Sequence, residues 1–158
     1  QGNHIPFNPK VWETGRCYVN PVCDFGFGLE LCQRLDLPDT DKFIGIDHIG
    51  IPVADMAESL AFYKALGFAV ASDVNILRAA DGAIIHNVMA VGCGTILELY
   101  EFALPSHKPI QNGAFAALRF RAESAQEVAM LQAKGAKFMG PGLWSLTAPG
   151  GERLEFFA

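Results

Sequence analysis

Long apolar runs, paired-cysteine motifs and a basic surplus are all missing from this chain, and each absence removes a class of protein. No stretch of 18 apolar residues occurs among its 158, so no segment reads as a membrane span. Acidic residues outnumber basic ones, 17 to 12, for a net charge of −5. A nucleic-acid partner needs a basic face, so this balance weighs against one. The cysteines Cys17, Cys23, Cys32 and Cys93 form no CxxC pair, which excludes the usual structural zinc spacings. Cys17 and Cys23 would suit a disulfide in an exported protein. Reduced thiols in a cytoplasmic protein are the favoured reading. The opening Gln1-Gly2 reads as a tag remnant, and an exported protein whose signal peptide has been removed stays open. No Gly-x-Ser-x-Gly occurs. "FGFG" (25–28) and "GCG" (92–94) lack the other residues of a phosphate loop and read as turns.

Half of the sequence (51 %) is apolar, enough to build a core. Residues 1–42 hold four prolines and only short apolar runs, and read as an extended arm with one short helix or strand near 25–35. From residue 43 the pattern sharpens. Residues 43–53 read as a strand, and Asp55 with Glu58 has the spacing of a capping box. A helix follows with Met56, Leu60, Tyr63 and Leu66 on its buried face, ending before Gly67. Strands are expected near 68–74, 84–91 and 95–102. The link 104–113 has no periodicity.

The plan then repeats. Residues 114–121 read as a strand, Ser124 and Glu127 as a second capping box. The helix that follows carries Val128, Leu131 and Ala133 and stops at Gly135. Short strands are expected near 136–139, 143–148 and 152–157. Asp55 matches Ser124 and Gly67 matches Gly135, while "ILELYEF" (96–102) matches "RLEFFA" (153–158) through Glu98 and Glu155. Each half is strand–helix–strand–strand–strand, with module one at 43–103 and a second module at 114–158 about twelve residues shorter between cap and last strand. Neither half has core enough alone, so the two must pair, within the chain or across a dimer.

Three polar residues interrupt apolar strands: His48 in "GIDHIGIPVAD", Glu98 in "ILELYEF" and Glu155 in "RLEFFA". A carboxylate on an enclosed face is costly unless paired or bound to a metal. Imidazole and carboxylate together suit zinc, nickel, iron, cobalt or manganese. Each residue taken singly also fits a structural role: a hydrogen-bonded core histidine, a solvent-facing glutamate. Tyr100 and Trp144, with Phe115, Phe120 and Phe138, either line an aromatic pocket or fill the core. Arg119 either faces solvent or anchors an anion. Cys93 lies between two glycines and reads as a hairpin-turn residue, where a catalytic thiol would need a nearby histidine.

The pattern "IDHIGIPVADMAESLAFYKALGF" followed by "TILELYEF" resembles the vicinal-oxygen-chelate superfamily of glyoxalase I, bleomycin-binding proteins, fosfomycin-resistance transferases and extradiol dioxygenases. "FAALRFRAESAQEVAMLQAKGAKF" and "APGGERLEFF" resemble it more loosely. The resemblance implies an α+β fold in which paired βαβββ modules curl into an open mixed sheet around the site, preceded here by the arm. It implies metal ligands at His48, Glu98 and Glu155, with Glu155 or Glu98 as the catalytic base when not ligated. It also implies a homodimer. The position of the remaining histidine ligand is Ala117, which cannot coordinate. Two readings follow. One is a protein holding a small molecule in the barrel cavity without a full metal site, with Tyr100, Arg119 and Trp144 as ligand contacts. The other is a metal-dependent lyase, isomerase or dioxygenase working through His48, Glu98 and Glu155. His86 or His107 could stand in for the missing ligand if a loop brought it inward, although neither lies at a family ligand position.

Overall fold

The computed structural model describes residues 11–13, 16–19, 30–38, 42–77, 82–103, 117–122 and 124–157. The 104–113 link, His107, Phe115 and Cys23 lie outside them. The chain divides into two compact units, Gln1–Asp47 and His48–Ala158.

The first unit contains a three-stranded antiparallel sheet, β1 (Val11–Glu13), β2 (Arg16–Val19) and β3 (Leu31–Arg34), in that order. The segment expected as an arm thus carries strands of its own. β3 falls inside the expected 25–35 window, but β1 and β2 are too short to carry a readable alternation. The Arg34 guanidinium bonds Asp36 at 2.8 Å and Asp47 at 3.3 Å.

The second unit holds the repeat. Its first module runs β4 (Ile49–Pro52), α1 (Met56–Ala65), β5 (Ala69–Leu77), β6 (Ile84–Gly92) and β7 (Thr95–Phe102). Its second runs β8 (Leu118–Arg121), α2 (Ala125–Ala133), β9 (Lys137–Gly140), β10 (Leu143–Thr147) and β11 (Arg153–Phe157). The sheets are ordered β4-β7-β6-β5 and β8-β11-β10-β9, so the two modules share one topology. In each, the first strand crosses over through the helix and lies parallel to the last, while the other neighbours are antiparallel. This is the α+β, twice-βαβββ architecture that the punctuation of the sequence foretells.

Both helices start where their caps predict. Asp55 accepts from the Glu58 amide at 2.9 Å and Ser124 from the Glu127 amide at 3.1 Å. Each removes one orphan donor of a first turn. Both helices close by the same Schellman pattern: Phe68 N–H bonds Tyr63 C=O, and Ala136 N–H bonds Leu131 C=O. Gly67 and Gly135 supply the required left-handed residue, at φ +92° and +89°.

One core joins the modules. Leu97, Leu99, Val88 and Leu154 are fully enclosed, and Phe68 of the first module meets Phe120 of the second edge to face, with ring centres 6.1 Å apart. One expectation fails. The first strand is not 43–53. β4 begins at Ile49 because its only partner among the described residues, β7, begins at Thr95, just two residues before Leu97, which pairs with Ile49. Phe43, Ile44 and Ile46 therefore lie exposed. On α2, Leu131 is buried but Ala133 is exposed. Among the described residues no helix is long and apolar enough to cross a membrane.

Candidate functional site

Side chains alternate along a strand, and directly paired residues share a face. On β7, Leu97 and Leu99 point into the core, which puts Glu98 and Tyr100 on the opposite, open face. Parallel pairing sets Gly50 against Glu98, so His48, two residues earlier, shares that face. The His48 Nε2 stands 3.5 Å from one Glu98 oxygen, and the Asn87 amide donates to the other at 2.6 Å. Burial opposes ionisation of Glu98 more than any other single effect. The hydrogen bonds from His48 and Asn87, with the histidine's charge, together outweigh it and hold the carboxyl below its ordinary value. Burial, then the charge of Glu98, raises the Tyr100 phenol.

Gly50 makes this arrangement possible. A Cβ there would stand 3.4 Å from the Tyr100 ring and 3.6 Å from a Glu98 oxygen. A longer side chain would occupy the space across which His48 reaches the carboxylate.

The second module repeats the frame with different chemistry. Glu155 sits on β11 between the core residues Leu154 and Phe156, and β8 sets Arg119 directly against it. Arg119 therefore holds the place of Gly50, and Ala117 the place of His48. The Arg119 Nε donates to one Glu155 oxygen at 2.6 Å and an Arg153 terminal nitrogen meets the other at 2.9 Å. The carboxylate side chain is only 5 % exposed, so the two guanidiniums answer the need for a partner that a buried charge creates.

The structure thus brings His48, Glu98 and Tyr100 together on one sheet face and Arg119 and Glu155 on another. Trp144 pairs with Phe156, on the core side of its sheet, and its ring packs against Phe138 at 6.2 Å, so it is not brought to the face of Glu155. Phe120 is core. His86 lies on the face opposite Glu98, bonded to Asp73 at 2.8 Å and facing Glu101 at 3.8 Å. Cys93 occupies the β6–β7 turn with φ +50° and is exposed. The sequence reading missed Asn87, Gly50 and Arg153. Asn87 had a signal, a lone amide inside the apolar run "IIHNVMAV". Gly50 and Arg153 become legible only once the register is known.

A divalent metal does not fit the donors at Glu155: both of its oxygens are held by guanidiniums, which would repel a second cation. Ala117 supplies no donor. Among the described residues, no three of His, Cys, Asp or Glu are grouped to hold a metal.

The model of the Glyoxalase/Bleomycin resistance protein/Dioxygenase superfamily matches residues 45–156. The chain belongs to this superfamily. Solved structures agree on the fold. A glyoxalase family protein from Bacillus cereus superposes with a TM-score of 0.56 at 16 % identity, covering 76 % of this chain and 97 % of that one. TnmS3, an antibiotic binding protein from Streptomyces, gives 0.51 at 19 % identity, covering 73 % and 95 %. The fosfomycin resistance protein FosX from Listeria monocytogenes, complexed with Mn(II) and 1S,2S-dihydroxypropylphosphonic acid, gives 0.53 at 13 % identity, covering 74 % and 94 %. No curated protein matches the chain. At these identities the likeness is one of fold, and superfamily membership leaves open whether a given member holds a metal.

Proposed function

We propose that the protein is a glyoxalase/bleomycin-resistance-like binding protein, which holds a small molecule against the open faces of its sheets without a resident metal. One observation carries this reading. The glutamate of the second module is neutralised by Arg119 and Arg153, at the place where the first module has Gly50 and a histidine. A carboxylate held by two arginines serves neither as metal ligand nor as general base. His48, Asn87, Glu98 and Tyr100 then act as polar contacts to the ligand. The antibiotic-binding relative with the same fold supports the class. A homodimer belongs to the same proposal. Val74, Ile76 and Val91, exposed on the first module's open face, are apolar surface that a second copy or a ligand would cover.

The alternative, a metal-dependent lyase, isomerase or dioxygenase, makes the opposite prediction in one experiment. The metal content of the purified protein is measured by elemental analysis. Its melting temperature is then followed during titration with nickel, zinc, cobalt, manganese and iron(II), for wild type and Glu98→Ala. The binding-protein reading expects no stoichiometric metal and no shift that depends on Glu98. Near-stoichiometric metal, lost in Glu98→Ala, would overturn it.

A further inference from the structure

We infer that the open face of the second module is an anion site, so that the small molecule carries a carboxylate, phosphate or phosphonate group seated on Arg119, Arg153 and Lys137. This deepens the binding-protein reading and rests on it. Strand register carries the argument. Lys137 pairs with Ser145, Ser145 with Glu155, and Glu155 with Arg119, so one row crosses all four strands on a single face. Arg153 and Arg121 lie two residues from that row on the same face. Four basic residues therefore share one face with one carboxylate, in a chain whose acidic residues outnumber its basic ones, 17 to 12. One buried carboxylate needs one cation. Arg121 and Lys137 add further positive charge to the same face, which favours an arriving anion.

Glu155 sets the geometry. It takes the Nε edge of Arg119, which leaves that guanidinium's two terminal nitrogens on a side chain 68 % exposed. Arg153, 48 % exposed, is held from the other oxygen. Arg119, held at its Nε, keeps both terminal nitrogens, and Arg153, held through one terminal nitrogen, keeps its other N–H groups, so the pair can take an oxyanion through paired hydrogen bonds. Ser145, in the same row, adds a hydroxyl donor. With strands about 4.8 Å apart, the row from Lys137 to Arg119 spans about 14 Å, room for one or two anionic groups and too short for a polyanion. Glu155 is a positioning residue here, not a ligand contact.

The test is an NMR titration of the full chain at low ionic strength, following arginine Nε–Hε resonances. Inorganic phosphate, acetate and methylphosphonate are added separately to rank the three oxyanions. Saturable shifts of Arg119 and Arg153 are expected, with Arg34 of the first unit unmoved. Arg119→Gln should weaken phosphate binding at least tenfold and Lys137→Gln severalfold, and Lys64→Gln, at an exposed position in the last turn of α1, should leave it unchanged. If Arg119→Gln does not fold, the exposed pair Lys137→Gln and Arg121→Gln carries the test. Shifts that grow linearly and equally at every arginine would mean ionic strength alone, and would overturn the inference. Capture of an uncharged ligand by a protein that ignores all three anions would overturn it while sparing the binding-protein reading. Stoichiometric metal dependent on Glu98 would overturn that reading and leave the anion result standing.

Discussion

Removing Arg119 and Arg153 together should cost more than the sum of removing each. Glu155 is almost fully enclosed, with its side chain 5 % exposed, whereas the arginines are 68 % and 48 % exposed. Exposure screens each ion pair, so while one guanidinium remains the loss of the other costs about 1 kcal/mol. With both gone, a buried carboxylate has no cation, and the loss rises to about 3 kcal/mol. The excess over additivity is then about 1 kcal/mol, within reach of a double-mutant cycle. Wild type, Arg119→Ala, Arg153→Ala and the double variant would be unfolded both in urea and by heat, followed by far-UV circular dichroism. The singles should each melt roughly 3 °C below wild type, and the double roughly 9 °C below. Strict additivity would refute the shared-carboxylate reasoning. So would one single variant as damaged as the double, because one arginine would then carry the whole interaction.

Glu98 gives a pH signature. Its folded value lies below the ordinary 4.5, so it contributes stability that is full above that pH and is lost as pH falls through the lowered value. Melting temperature between pH 5 and pH 3 should therefore fall less steeply in Glu98→Gln than in wild type; parallel curves would remove the ion pair from the account. Leu154, fully buried at the centre of β11, should cost about 3 kcal/mol when cut to alanine, read as a lowered urea midpoint at unchanged slope. Gly92→Ala would drive a Cβ to 2.8 Å from the Phe68 ring and 3.0 Å from its backbone, so it should destabilise by about 1–3 kcal/mol, and an unchanged melting temperature would contradict the close packing of β6 on Phe68.

The fold was legible because its signals are local. Two capping boxes, two glycines at helix ends and two Glu-interrupted strands mark the repeat by punctuation rather than by overall identity between the halves. What was not legible depends on partners distant in sequence. "FIGID" looks like the start of a strand, but whether it pairs is decided by where β7 begins, some fifty residues later. Trp144 was a reasonable pocket residue by type, but the pairing of β10 with β11 assigns it to the core side. The first-unit strands are three and four residues long, too short for period-two alternation to rise above chance.

The candidate site divides along the same line. That Glu98 and Glu155 occupy equivalent strands could be read from sequence, and it invited the expectation that they would serve one purpose. The register separates them. Opposite each glutamate the chain has one position that decides its use, and the two modules fill it with the smallest side chain and nearly the longest. Gly50 leaves space, so a histidine two residues earlier comes within reach of Glu98 and an asparagine completes its hydrogen bonding. Arg119 fills that space and neutralises Glu155 directly, and with Ala117 beside it no histidine is needed. Two copies of one scaffold therefore present faces of different charge, one with a carboxylate–imidazole pair and one with arginines gathered on a buried carboxylate. A ligand that meets both faces would have to be polar in two different ways, hydrogen-bonding at one end and anionic at the other.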